Sequence, residues 1–276
     1  MLDTIICFQL QKIEYERTNN MMQTNKFMDS IILEGMTSIS AVLNSDEHND
    51  RRIEKVWIDA EKKKSKLREI ACLRAQSKEL SLPIEFVTKE QIEEYTVGNT
   101  HGGIIAFCTD RTIRALTADT LEENGFYVYL DGIEDPYNFG YTIRSLYAAG
   151  VTAIVMPPRN WMTAAGVVAR ASAGTSELMP LFSAPSEEIG AIFHAKNYCI
   201  LCAGIRDSVS VFEEPFKLPL LLVVGGEKRG ISRKLLEQAD QIVRIDYGRS
   251  FRGSLSAASA ATVLAFEIYR QNVTPK

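Results

Sequence analysis

Apolar positions along this chain change period several times, and each change marks an element. Residues 1–26 are polar and weakly periodic, with Met21 and Met22 among them, and predict a poorly packed extension. From Asp29 to Leu43, the residues Ile32, Met36, Ile39, Val42 and Leu43 recur at near-helical spacing and predict a helix. Val56-Trp57-Ile58 predicts a short strand, Ser65 to Glu79 a lysine-rich helix, and Leu82 to Val87 another strand. Lys89 to Ile92 opens a further helix, and His101-Gly102-Gly103 turns into a strand that runs to Phe107. Residues 27–110 thus form one α/β unit of roughly 80 residues, an ordinary domain size. Residues 111–124 are polar and mixed, with RTIRAL reading as a short helix or linker, and form the boundary.

Residues 125–276 alternate strand and helix throughout. FYVYLDGI predicts a strand, YTIRSLYAAG a helix stopped by Gly150, VTAIVMP a strand, and Thr163 to Ser172 a helix. Strand, helix and strand follow at Leu178–Phe182, Ser186–Ala195 and Tyr198–Ala203. Leu220 to Val224 is a wholly apolar run, as for a strand buried on both faces. It ends at Gly225-Gly226, passes Glu227 and Gly230, and enters a helix near Ser232. Gln241–Ile245 predicts a last strand, and a small-residue helix opens at Ser254. The class is α/β: a mainly parallel C-terminal sheet covered on both faces, preceded by a small α/β domain.

Composition narrows this picture without redirecting it. The 276 residues are 46% hydrophobic and 24% charged, as for a globular protein with a full core. No apolar run approaches the ~20 residues of a membrane span, and the start lacks the basic leader of a signal peptide. Five scattered cysteines suit a reducing cytosol. Cys199 and Cys202 form a C-x-x-C, but inside the apolar run YCILCAG, which favours core thiols over a metal or redox site. The formal net charge of −4 carries no global nucleic-acid signature. Two local basic clusters exist: Lys62, Lys63, Lys64, Lys66 and Arg68, read as a solvated face, and a C-terminal group that includes Lys228, Arg229, Arg249 and Arg252 beside the glycine turns.

Candidate chemistry gathers where strands end. Glycine turns at the carboxyl ends of strands, feeding helices, are how open α/β sheets hold ligands. Asn138 follows Asp135-Pro136-Tyr137, where it can cap the helix and still offer its amide; Gly140 allows close backbone approach. Arg144 lies about a turn and a half into a helix that begins at Asn138. Each feature also has a plain structural reading: a capped helix with a surface arginine, a turn glutamate at Glu227, a helix start at Ser254, Ser256 and Ser259. His101 reads best as a turn histidine bonded to local backbone. Phosphate-loop, hydrolase-elbow, H-E-x-x-H and G-x-G-x-x-G motifs are absent.

Taken jointly, three stretches resemble the SpoU/TrmH branch of the SPOUT methyltransferases. Asn138, Gly140 and Arg144 match its first motif within DPYNFGYTIRSLYAAG. Gly225, Glu227 and Gly230 match the second within LLLVVGGEKRGIS, and Ser254 and Leu255 the third. EGMTSISAVL, IEKVWID and VGNTHGGIIAF resemble the ribosomal-protein-like substrate-binding domain found upstream in many members. The resemblance implies a C-terminal trefoil knot, a homodimer whose site the second subunit completes, and S-adenosylmethionine as cofactor without a metal. It implies methylation of a ribose 2′-hydroxyl in rRNA or tRNA, in the cytoplasm. Gly225, Gly226, Glu227, Gly230, Ile245 and Leu255 would hold the cofactor. Asn138, Arg144, Glu227, Ser254 and Ser256 would serve catalysis. In that role Asn138 orients the ribose and Glu227 holds Arg144 or a substrate hydroxyl. A guanidinium is a poor base, so Arg144 is read as a phosphate clamp that stabilises the developing alkoxide. Ser256 stands where the family usually has Asn, Asp246 where it has Pro, and Gly226 where it has a polar residue. Ser256 is the sequence hint for a second reading, an RNA-binding or ribosome-assembly protein of the same fold with reduced or no methyl transfer. A third reading is a nucleotide-using enzyme of another α/β family.

Overall fold

The computed structural model describes residues 31–96, 101–158 and 164–273, with the side chains of 78–80 outside that description. The extension 1–26 therefore lies outside the described residues, as do Asp29, Thr163 and the residues 97–100 of VGNTHGGIIAF. Two sheets organise the chain. The first carries β1 (Ile31–Glu34), β2 (Ile53–Asp59), β3 (Ile84–Val87) and β4 (Ile104–Cys108), in the order β1-β4-β2-β3. Only β2 and β3 pair parallel; β4 is antiparallel to both its neighbours. Helices α1 (Gly35–Leu43) and α2 (Leu67–Leu80) cover one face through Ile39, Val42, Ile70 and Leu73. α3 (Lys89–Glu93) covers the other with Ile92, beside Trp57 and Phe107. Its start is a capping box, Thr88 accepting from the Gln91 N–H while the Gln91 side chain accepts from the Thr88 N–H.

The second sheet is wholly parallel, in the order β10-β12-β9-β11-β6-β7-β8-β5. Its strands are β5 (Arg114–Ala115), β6 (Phe126–Asp131), β7 (Ala153–Met156), β8 (Leu181–Ser183), β9 (Cys199–Ala203), β10 (Val209–Ser210), β11 (Leu220–Gly225) and β12 (Gln241–Arg244). β11 is central, and its side chains alternate between two cores as a strand's period of two requires. Leu220, Leu222 and Val224 face α4 (Pro136–Ala148) and the C-terminal helix α9 (Ala257–Asn272). Leu221 and Val223 face α7 (Ile189–His194) and α8 (Arg233–Leu236). The same alternation puts Cys199 and Cys202 on opposite faces of β9, so the pair cannot share a ligand. Burial pushes the Cys202 thiol up to about 12. These are core thiols. No described helix is long and apolar enough to cross a membrane.

Several elements differ from their sequence reading. The start of the helix predicted from Asp29 is instead β1, because Ile31 to Glu34 pairs along β4 before Gly35 (φ +79°) turns the chain into α1. RTIRAL holds neither helix nor free linker: β5 adds to the edge of the second sheet beside β8, and Arg111 is buried. Leu178 ends the short helix α6 (Thr175–Leu178), so the third predicted strand begins three residues late, at Leu181. Between the sheets α5 (Ala165–Ala171) packs on α4 and on β1, with Ala169 entering the first sheet's core. Gly140 makes that approach close: a Cβ there would meet the Ala171 Cβ at 2.6 Å and the Val168 carbonyl at 2.9 Å. Its small size thus serves helix packing and not a ligand. Gly140→Val is expected to cost about 1–3 kcal/mol by overpacking, measured by urea unfolding.

Buried polar contacts join the two units. The Arg51 Nε meets the Glu177 carboxylate at 3.0 Å with both side chains almost fully buried. Asn49 donates to the same carboxylate at 3.0 Å, and Arg111 donates to the carbonyls of Ser176 (2.6 Å) and Met179 (2.9 Å). Arg170 and Glu34 pair at 2.9 Å nearby.

Candidate active site at the carboxyl ends of the central strands

The loops that leave β9, β11 and β12 enclose a cavity of about 600 Å³. Its walls are largely backbone and apolar side chains, from Gly225 and Gly226 on one loop to Ile245, Ser254 and Leu255 on another. The tight turn after β11 shapes the floor. Gly226 donates to the Asp131 carbonyl at 2.7 Å, Gly230 donates back to the Gly226 carbonyl at 2.8 Å, and the Asp131 carboxylate accepts from the Ser232 N–H at 2.7 Å. A Cβ on Gly225 would lie 2.3 Å from the Gly230 backbone, and one on Gly226 only 2.1 Å from the Gly132 carbonyl. The glycine at 226, a departure from the resembling family, is therefore what this backbone path demands.

A second recess of about 80 Å³ adjoins the first and shares Gly226, Glu227 and Ala257 with it. Asn138 and Asp135 line its far side. Glu227 sits between the two. Its carboxylate accepts from Asn138 Nδ2 at 3.3 and 3.4 Å and from the Ala257 N–H at 3.4 Å. Glu227 thus holds Asn138, not Arg144.

The structure brings together Gly225, Gly226, Glu227, Gly230, Ile245, Ser254 and Leu255 around the cavity, with Asn138 across the shared wall. Two candidates stand apart. Ser256 is the N-cap of α9, accepting from the Ser259 N–H at 3.2 Å and meeting its hydroxyl at 3.0 Å. The helix therefore begins at Ala257 and not at Ser254. Arg144 is exposed on α4 and lines neither recess. The N-cap of α4 is Asp135, which accepts from the Asn138 N–H at 2.8 Å, and Pro136 takes the first helical position. The helix starts earlier than Asn138, and Arg144 is six residues beyond that asparagine, about 9 Å along the axis. His101 is buried and its Nδ1 accepts from the Gly103 N–H at 3.0 Å, the local backbone bond read from sequence.

Sequence reasoning missed Asp131, which ends a buried strand and fixes the glycine turn, and it missed Arg206, Tyr247 and Phe251 on the cavity rim. The Tyr247 hydroxyl accepts from the Leu255 N–H at 3.3 Å, and its ring lies 5.7 Å from that of Phe251. A cavity of this size with backbone donors, apolar walls and one carboxylate fits a nucleoside-containing cofactor. Among the described residues no cluster of His, Cys, Asp and Glu suits a metal ion.

Residues 125–266 match the model of the SpoU rRNA methylase family, and residues 32–113 match that of RNA 2′-O ribose methyltransferase substrate binding. The chain is 24% identical over 244 residues to the 23S rRNA (guanosine-2′-O-)-methyltransferase RlmB of Pseudomonas putida, covering 86% of this chain and 95% of that protein. The AdoMet-bound rRNA methyltransferase of Sinorhizobium meliloti superposes with a TM-score of 0.72 at 20% identity, over 92% of both chains. The SpoU methyltransferase AviRb of Streptomyces viridochromogenes, in complex with AdoMet, gives 0.70 at 22% identity, over 88% of this chain and 90% of that one. At such identities the solved structures establish the shared fold.

Proposed function

The chain belongs to the SpoU rRNA methylase family, and from that premise we propose that it methylates a ribose 2′-hydroxyl of rRNA or tRNA in the cytoplasm, using S-adenosylmethionine. The observation that carries this reading is the pair of adjoining recesses with Glu227 in their common wall. The larger suits the cofactor, held by the backbone of Gly225, Gly226, Gly230, Ile245 and Leu255. The smaller suits the acceptor ribose beside Asn138. When bound, the cofactor supplies an electrophilic methyl carbon on a sulfonium. Displacement there is in line, so alignment of the acceptor oxygen matters most. Glu227 fixes the Asn138 amide by accepting from its Nδ2, which leaves the amide oxygen to orient the ribose. Glu227 is also, among the described residues, the one carboxylate that lines the large cavity.

Arg144 fits as a residue given to a partner's site. It shares the outer face of α4 with exposed Tyr137 and Tyr141, and α9, packed beside α4, exposes Phe266 and Tyr269. Such aromatic exposure on two adjacent helices supports a homodimer, with the Arg144 guanidinium clamping a phosphate near the partner's acceptor recess. The trefoil threading of the C-terminal segment belongs to the same proposal, supported by three loops from β9, β11 and β12 that converge on one cavity. Incubation of rRNA or tRNA with methyl-labelled S-adenosylmethionine tests the reading. Label is expected in alkali-resistant dinucleotides, because a 2′-O-methyl removes the hydroxyl that attacks the neighbouring phosphodiester. Label on a base, or none, would contradict it and favour a protein that binds RNA without turnover.

A further inference from the structure

The lining of the large cavity carries charge that methyl transfer, as described above, leaves unused. Arg206, Arg244 and Arg252 line the cavity, the first from the loop after β9, the others from β12 and the loop after it. Arg244 is already engaged: its Nε meets Asp246 at 2.7 Å, and its guanidinium also donates to the Ser208 carbonyl. A hydrogen bond from Ser210 and the nearby Arg244 hold the Asp246 carboxyl below the usual carboxylate value, so the pair stays ionised near neutral pH. The departure from the family at 246 thus turns Arg244 away from a ligand. Arg206 and Arg252 are exposed and make no ion pair with any described residue. Among the described residues the one carboxylate of this lining, Glu227, is on the wall shared with the Asn138 recess. The lining therefore carries both signs, the carboxylate on that shared wall and the arginines on the segments that leave β9 and β12.

S-adenosylmethionine, whose binding here rests on the function proposed above, carries a sulfonium near its centre and one anionic group, the α-carboxylate that stands beside the α-ammonium of its amino-acid tail. We infer that Arg206 and Arg252 receive this α-carboxylate and so orient the cofactor with its sulfonium towards Glu227. Guanidinium forks match carboxylates in planar, charge-assisted pairs, which makes arginine the suited residue. The Tyr247 and Phe251 rings line the same cavity and add apolar surface to it. Arg249 lies in the same loop but does not line the cavity, and has no part in this subsite.

Calorimetric titration of the full chain with three ligands tests the inference. S-adenosylmethionine and S-adenosylhomocysteine both carry the carboxylate; 5′-methylthioadenosine lacks the whole tail. Arg206→Met and Arg252→Met are each expected to weaken the two carboxylate ligands by about tenfold or more, the scale of one charged hydrogen bond. Affinity for 5′-methylthioadenosine should stay within about twofold of the unaltered protein in both variants, well under the scale of such a bond. Arg249→Met should leave all three ligands unaffected. Equal weakening of all three would show a general loss of cavity structure and overturn the inference. So would unchanged cofactor binding, including the case in which the variants lose affinity only for RNA because the arginines hold its phosphates. If the unaltered protein bound 5′-methylthioadenosine but discriminated against the tail, the subsite alone would fail; binding of none of the three would remove the cofactor reading as well.

Discussion

Replacing Glu227 by alanine is expected to lower methyl transfer by about a hundred- to a thousandfold, the usual scale for removing one organising polar group from a reaction centre. The carboxylate holds the Asn138 amide and the first N–H of α9 at once, so its loss releases both walls of the smaller recess. A misplacement of about 1 Å at an in-line displacement has a cost of this order. The fall should appear in kcat more than in the KM for S-adenosylmethionine, because most cofactor contacts would come from backbone on the larger cavity. Glu227 is exposed, so unfolding by urea should scarcely change. Transfer within about threefold of the unaltered rate would show that this junction is structural, since that is far below the loss a reacting-centre group causes.

The largest effect on stability is expected at Glu177. Truncation to alanine strips the partner from Arg51 and removes an acceptor from Asn49, all at a buried seam between the two units. Breaking a buried ion pair on one side costs about 3–5 kcal/mol, most of it from the charge left behind. The seam also sets where the first unit sits on the second, since Arg111 and Arg170 cross it as well. Glu177→Ala is therefore expected to lower the urea midpoint strongly. Arg51→Met combined with Glu177→Leu should recover much of the loss, because two apolar side chains leave no orphaned charge. A midpoint unchanged in the single variant would mean that the pair is solvated and the seam open.

What the sequence made legible follows from burial. β6, β9 and β11 stood out because strands covered on both faces are uninterrupted apolar runs, FYVYL, CILC and LLLVV. β1 did not, because four residues are too few to fix a period and IILE falls in step with the helix behind it. β5 and β10, two residues each, are held by pairing with distant strands and have no local signal. Around the site, the glycine turns were readable because only glycine tolerates the backbone contacts found at Gly225 and Gly226. The start of α4 was misread by two residues, although Pro136 marked it: proline suits the first helical position, which makes Asp135 the cap and not Asn138. Of the two partners read for Glu227, Arg144 is not the one found, and Asn138 stands there instead. Arg144 is six residues beyond Asn138, about 240° round the helix, so it takes the exposed face while Asn138 lines the recess. Arg206 and Glu177 lie in polar stretches that read as surface, and only tertiary placement reveals them.

The division of labour between cofactor cavity and Arg144 is the centre of the proposal, and Arg144→Ala probes it most directly. S-adenosylmethionine titrated into this variant should bind within about threefold of the unaltered affinity, while methyl transfer to RNA falls by about a hundredfold or more, as for a group that acts on the RNA and not on the cofactor. Loss of cofactor binding, or transfer at the unaltered rate, would contradict it.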